Sequence, residues 1–341
     1  HDVDSLKLGA FMEANFGTWS FDVFELSRLS SGNPLQFVGW EALRSLDCFA
    51  ELNLDIAKVR SFLSHAENSY AREKSVPYHN NLHAADVTQL VHSLLAQHDF
   101  AHYFDELGTL SLVLSAIVHD MGHDGRSNSF HINSQDGLAL TYNDRSVLEN
   151  YHVAEVFKLL KGEPDVNLLI DMPEENVTNI RKEMIELVLG TDMAGHFDRV
   201  SNFKGLVERL DTDPSDWEEE PDALMAMQVM VLHAADTSTP AKPPVLADRW
   251  AELLRAEFYL QGDDERELAM PISPMCDRHD DKFASSQVGF IKFIVEPTFN
   301  LLASVVPSVQ SEVLVHLYAN ADLWAQRKLA EEAATPGCKK K

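Results

Sequence analysis

His119-Asp120 closes a nearly unbroken apolar run, Leu110 to Val118, and His123 follows one turn later. An imidazole beside a carboxylate is costly to bury unless the groups are paired or bound to a cation. Together they offer one borderline nitrogen and one hard oxygen, a mixture that suits Zn²⁺ and its divalent relatives. A second apolar run, Ala223–Ala235, also ends on an acid, in His233-Ala234-Ala235-Asp236. A negative group at a helix C-terminus is disfavoured by the helix dipole. Its recurrence at Asp120 and Asp236 makes sense if a cation offsets the cost. With His83 and His119 the set becomes two nitrogens and two oxygens, a Zn²⁺ shell with added water. His79 and His83 are four apart and share one side if that turn is helical. The same acids read equally as helix caps and the histidines as hydrogen-bonded core residues, and spacing alone leaves both open.

The elements that must carry these groups read as helices. Leu, Ala, Met, Glu and Asp are plentiful, whereas alternating Val/Ile/Thr runs are scarce. Val87, Leu90, Val91, Leu94 and Leu95 mark an apolar helical face behind His83. A Gly/Ser/Asn-rich loop is expected from Gly122 to Asn143. Asp144 is read as N-cap of a helix Arg145–Leu160, with Glu149 and His152 at i and i+3. Pro173 introduces a helix through Leu189, and the acidic stretch Asp211–Asp222 reads as a solvated loop and helix start. Helices are further expected over Leu246–Leu260, from Ser286, and from Leu301 to Ala330. No repeat or composition shift divides the chain. A single compact all-α domain over 1–330 follows, with a disordered tail over 331–341.

The net charge of −26 argues against a nucleic-acid or anionic-membrane surface. Cys48, Cys276 and Cys338 form no ligand spacing and are odd in number, which fits a reducing, cytoplasmic compartment. No window reaches the roughly 18 apolar residues of a membrane span, so no membrane insertion is expected. The chain begins at His1 rather than Met and reads as a piece of something longer. Regulatory domains and localisation signals are expected outside it.

Tyr78-His79-Asn80-Asn81-Leu82-His83-Ala84-Ala85-Asp86-Val87 resembles the opening signature of class I cyclic nucleotide phosphodiesterase catalytic domains. His119-Asp120-x-x-His123-x-Gly125-x-x-Asn128 and Tyr142-Asn143-Asp144-x-Ser146-Val147-Leu148-Glu149-Asn150 continue the match. Leu232–Asp236, Ile272–Asp277 and Ser286–Phe290 follow in the right order. The resemblance runs from about residue 40 to 325 and is nearest the cAMP-hydrolysing branch. It implies an all-helical domain with a two-metal site at the bottom of a deep pocket.

Carried over residue by residue, the resemblance makes His83, His119, Asp120 and Asp236 ligands of a tight Zn²⁺. Asp120 would bridge to a second ion, Mg²⁺ or Mn²⁺, held largely through waters. His123, Glu149, Thr191 and Asp192 would hydrogen-bond those waters. The reaction implied is hydrolysis of a 3′,5′-cyclic nucleotide to the 5′-monophosphate by a metal-bridging hydroxide. His79 would be the general acid, with Glu149 accepting its hydrogen bond and keeping it charged. Gln287 would read the base, and Phe290 and Leu254 would sandwich it. Tyr78, Met193, Asn128 and Thr239 complete the expected substrate pocket.

Two positions depart from the family pattern. Gly122 stands where an acid is common, outside the ligand shell. Thr239 stands where the cAMP-selective branch has Asn, which opens dual cAMP/cGMP hydrolysis. Two rival readings stand beside this one: another His-Asp phosphohydrolase, and a catalytically silent cyclic-nucleotide sensor.

Overall fold

The computed structural model describes residues 5–334 apart from 73, 211, 212 and 281. Among these residues there are helices and no strands, in agreement with the all-α expectation. The N-terminal portion holds α1 (Ser5–Asn15), α2 (Val23–Leu29), α3 (Pro34–Ser45), α4 (Cys48–Glu51) and α5 (Ile56–Ser69). Then come α6 (Asn81–Ala96), α7 (Glu106–Val118), α8 (Asn128–Ser134), α9 (Gly137–Tyr142) and α10 (Val147–Gly162). The middle continues with α11 (Glu174–Leu189), α12 (His196–Arg209), α13 (Pro214–Glu218) and α14 (Pro221–Asp236). The chain closes with α15 (Pro244–Glu267), α16 (Phe283–Phe290), α17 (Glu296–Val305) and α18 (Val315–Ala334).

Two of these are central rods. Asn80 starts α6 by accepting from the Leu82 N–H, while its own amide donates to the Val76 and Pro77 carbonyls. Asp105 starts α7 by accepting from the Gly108 N–H. Asn81 to Leu95 and Gly108 to Val118 are buried without a break. That is why α7 shows no polar face. Helices α3, α7 and α14 pack on α6, and α11 packs on α7. The ends of α6, α7 and α14 thereby meet on one side of the core.

The local expectations need several corrections. The stretch 122–143 is not one loop, because Ser127 and Asp136 cap the short α8 and α9. Helix α10 begins at Val147, not Arg145. Its cap is Ser146 at φ 40, preceded by Asn143 and Asp144, also left-handed at φ 53 and 61. Within the acidic stretch, α13 buries Trp217 edge-on to Tyr103 and against Phe203. His79 precedes α6, so the two histidines meet across a capped turn, their ring centroids 5.5 Å apart.

Helix α15 runs seven residues past the expected Leu260 because its charges are paired. Asp263 meets Arg278, Asp264 meets Arg126, and Arg266 meets Asp277. Buried Glu265 accepts from the Ser273 N–H and hydroxyl and from Gln261. At Gly262 a Cβ would lie 1.8 Å from the Cys276 carbonyl oxygen, so only glycine fits beneath that loop. Helix α18 runs to Ala334, so residues 331–334 are helix rather than tail, and 335–341 lie outside the described residues.

One segment, Phe283–Val305, does meet a membrane span's length at a mean hydropathy of 1.4. It includes Gln287, Lys292 and Glu296, packs on α12, α14 and α18, and contributes pocket residues.

Candidate active site

The four candidate ligands converge where α6, α7 and α14 meet. His83 lies in the first turn of α6, His119 and Asp120 follow α7 directly, and Asp236 is the last residue of α14. His83 Nε2 is 3.0 Å from Asp236 Oδ1 and 3.5 Å from Asp120 Oδ2. His119 Nε2 is 3.2 Å from Asp120 Oδ2, 3.5 Å from Asp236 Oδ1 and 3.3 Å from His83 Nε2. Around an ion bonded at about 2.0–2.1 Å, tetrahedral ligand atoms lie about 3.3 Å apart. The observed separations bracket that value. His119 Nδ1 donates to the Ala116 carbonyl at 2.9 Å, which leaves Nε2 as the ring nitrogen that a cation would take once its proton has gone. Asp120 Oδ2 is buried with no hydrogen-bond partner among the described residues. Two imidazole nitrogens and two carboxylate oxygens, one of them this orphaned atom, fit a divalent cation.

The electrostatics agree. Burial would push the His119 imidazole down, but Asp120 and Asp236 hold it well above its usual range. Burial likewise opposes ionisation of Asp120 and Asp236, yet the neighbouring histidines hold both carboxyls below theirs. A proton is therefore trapped where a cation would sit.

His79 does not pair with Glu149. Its Nδ1 lies 2.5 Å from Glu257 Oε1, from the middle of α15. The other oxygen of Glu257 accepts from the Tyr78 and His79 N–H groups at 2.8 and 3.1 Å. One buried carboxylate thus fixes both the turn and the ring. Burial alone would lower the His79 pKa, but the Glu257 carboxylate raises it to about 9. Glu257 itself, despite its burial, is held at about 2 by the imidazolium.

Glu149 stands elsewhere in the same cavity and accepts from Asn128 Nδ2 at 2.9 and 3.1 Å. Burial pushes its carboxyl up to about 7, even against the bonds from Asn128. Asn128 Oδ1 in turn accepts from the Leu148 N–H, tying α8 to the start of α10. His123 stacks on His79 with centroids 4.3 Å apart. Burial, and then the His79 charge, push it down to about 3. The Gly125 N–H donates to His123 Nδ1, so the proton of this neutral ring sits on Nε2. Asp192 accepts from the Ser146 hydroxyl at 2.7 Å and from the Ala194 N–H, and the Thr191 hydroxyl donates to the Val188 carbonyl. His123, Glu149, Asn128, Thr191, Asp192 and His152 all line a cavity of about 520 Å³ with Asp120 and Asp236.

A second, more apolar cavity of about 230 Å³ adjoins it through His79, Met193 and Asp236. Tyr78, Thr239, Leu254, Gln287 and Phe290 line it, together with Ala251, Phe258 and Trp324. Gln287 is buried, and no described residue hydrogen-bonds its side-chain amide. Tyr78 Oη stands 3.4 Å from Thr239 Oγ1. Every expected site residue thus lines one of the two cavities or belongs to the ligand cluster.

Glu257 and Tyr70 are the residues the sequence concealed. Tyr70 Oη donates to the Ile117 carbonyl at 2.9 Å and accepts from the Asp120 N–H at 3.3 Å, pinning the ligand pair to the end of α7.

The chain shows clear likeness to known proteins. Residues 78–316 match the family described as 3′,5′-cyclic nucleotide phosphodiesterase. It is 40% identical over 312 residues to the mouse dual specificity calcium/calmodulin-dependent 3′,5′-cyclic nucleotide phosphodiesterase 1C, covering 92% of this chain and 42% of that protein. It is also 40% identical over 291 residues to the human 1B protein of the same description, covering 85% and 52%. The chain spans about half the length of these curated relatives or less. The solved phosphodiesterase domain of the rhodopsin–phosphodiesterase fusion from the choanoflagellate Salpingoeca rosetta superposes with a TM-score of 0.84. Identity there is 28%, with 96% of this chain and 99% of that one covered. The dual-specificity names do not single out the cAMP-hydrolysing branch that the motifs resemble. With the family match covering well over half of its residues, the chain belongs to the 3′,5′-cyclic nucleotide phosphodiesterases.

Proposed function

We propose that this chain hydrolyses both cAMP and cGMP to their 5′-monophosphates in a metal-dependent reaction. The observation that carries the reading is the adjacency of three parts. The ligand set, a charged and carboxylate-backed imidazole at His79, and an apolar cavity floored by Gln287 share one continuous space. His83, His119, Asp120 and Asp236 would hold Zn²⁺, and the more oxygen-rich side near Asp192 and Glu149 suits Mg²⁺ or Mn²⁺ kept through waters. When bound, the ions supply charge against the phosphate and make a water nucleophilic at neutral pH.

The chain's own groups do the rest. His79, protonated at neutral pH, gives its proton to the 3′-oxygen as the P–O3′ bond breaks and the water oxygen bonds to phosphorus. Glu257, hydrogen-bonded to Nδ1, keeps the ring charged so that the proton delivered comes from Nε2. His123 offers its Nε2–H to a phosphate oxygen or a water. Phe290 and Leu254 face the purine, and the Gln287 amide both donates and accepts. An amide that no neighbour orients can serve adenine or guanine. Thr239 provides a single hydroxyl where an Asn amide would favour one base, which supports the dual reading alongside the relatives' names.

The deciding experiment compares cAMP and cGMP hydrolysis side by side, with Zn²⁺ plus Mg²⁺ or Mn²⁺ and with chelator. Both substrates should turn over, and chelator should abolish the activity. Failure to hydrolyse either with metals present would overturn the proposal, and turnover that survives chelator would overturn its metal dependence.

A further inference from the structure

A buried ion pair behind the pocket has no role in the chemistry described so far. Lys242 Nζ lies 2.7 Å from Asp86 Oδ1, with side chains 0% and 1% exposed. Neither head group has another side-chain partner among the described residues. Such a pair is a poor source of stability, because desolvating both charges cancels most of their attraction and an apolar pair of similar volume does as well. Its placement says more. Asp86 is three residues past His83 on α6, one turn deeper on the same side. Lys242 ends the tight turn Thr239–Ala241, whose Thr239 and Pro240 line the base-facing cavity. That turn begins three residues after Asp236.

The backbone of the turn is also held from two distant parts of the chain. Trp19 Nε1 donates to the Ala241 carbonyl at 2.9 Å. Asn320 Nδ2 donates to the Pro240 and Lys242 carbonyls, both at 2.8 Å. These bonds set the direction of the turn, but they come from the N-terminal segment and from α18. The ion pair is what ties it, through a charged side chain, to the helix that carries His83.

Resting on the phosphodiesterase reading, we infer that Asp86 and Lys242 are positioning residues that fix the spacing between the metal end of the site and the floor that meets the base. A cyclic nucleotide spans both ends, so a shift of the floor weakens binding of the nucleoside while leaving the phosphate chemistry in place.

The test uses the double variant Asp86→Leu/Lys242→Met, which removes both charges and leaves none unpaired, with Lys242→Arg as the charge-conserving variant. For the double variant, KM for cAMP and cGMP should rise about 10-fold while kcat stays within about threefold. Metal content should be unchanged, inhibition by 5′-AMP should weaken, and Lys242→Arg should recover part of the lost affinity. Unchanged KM values would overturn the inference. So would an equal fall in kcat with loss of metal, or failure of both variants to fold, since each would make the pair a plain element of stability. A wild-type chain that hydrolyses neither nucleotide would instead sink the functional reading itself.

Discussion

Glu257 Oε1 lies 2.5 Å from His79 Nδ1, although 178 residues separate the two in the chain. The same carboxylate accepts the N–H groups of Tyr78 and His79, so the ring is fixed in place as well as in charge. With its pKa raised to about 9, His79 stays charged through neutral pH and loses its proton only as pH rises past that value. Catalysis that needs an acid at this position should therefore fall on the alkaline side near pH 9.

Glu257→Gln removes the charge that lifts His79 and leaves burial to lower it. The alkaline limb of the kcat/KM profile should move down by at least about two pH units, with a loss on the order of 10–100-fold at pH 8. Metal content should not change. An alkaline limb that stays near pH 9 would remove Glu257 from this role.

His79→Ala takes away the proposed proton donor but no residue of the four-ligand cluster. Turnover should drop by roughly 10²–10⁴ while elemental analysis still finds the metals. Wild-type turnover would show that the proton comes from elsewhere.

Asp236→Ala deletes one oxygen of the ligand set and should strip zinc from the protein. In the intact chain, the carboxylates that hold a proton on His119 make metal uptake a proton release. Affinity should consequently strengthen as pH rises. Calorimetry in buffers of different ionisation enthalpy would read the protons released; a pH-independent affinity would contradict the assignment.

Asn128→Ala removes the hydrogen bonds that Asn128 gives the Glu149 carboxylate. Its pKa, already about 7, should climb further, so more of it is neutral at pH 7. The concentration of Mg²⁺ or Mn²⁺ needed for half-maximal activity should rise several-fold at pH 7 and recover above pH 8. An activation curve identical to wild type at both pH values would exclude Glu149 from holding that ion's waters.

Thr239→Asn places an amide on the cavity floor beside Tyr78. The ratio of cAMP to cGMP kcat/KM should rise, by about 10-fold if one bidentate base contact is gained. An unaltered ratio would show that Thr239 does not set base preference.

Asp120 and Asp236 were conspicuous because an acid at the end of an apolar helix is unusual and happens twice, whereas the choice between ligands and helix caps rested on the family resemblance. Gln287 and Phe290 were singled out through the family motif that holds both, and both line the apolar cavity. Glu257 was not legible. It sits in Arg255-Ala256-Glu257, which reads as one more solvated turn, and only tertiary packing buries it. The charged end of α15 was hidden for the same reason, since its partners Arg126, Arg278 and Asp277 come from other segments. Helices α8 and α9 are too short for periodicity to register, and the Ser and Asn content of α8 resembles a loop. The left-handed residues before α10 displaced its start by two positions from the obvious cap.

Helix α15 carries Ala251, Leu254 and Phe258 on the wall of the apolar cavity and Glu257 against the acid histidine. In the proposed reaction, recognition and protonation therefore share one helix. A sliding or tilting of that helix, whether by a bulky inhibitor wedged against Leu254 or by a mutation at its far end, would disturb both at once. On the proposed reading, drug resistance arising along this helix should accordingly carry a penalty in turnover, whereas changes in Gln287 or Thr239 should retune base choice without touching the proton.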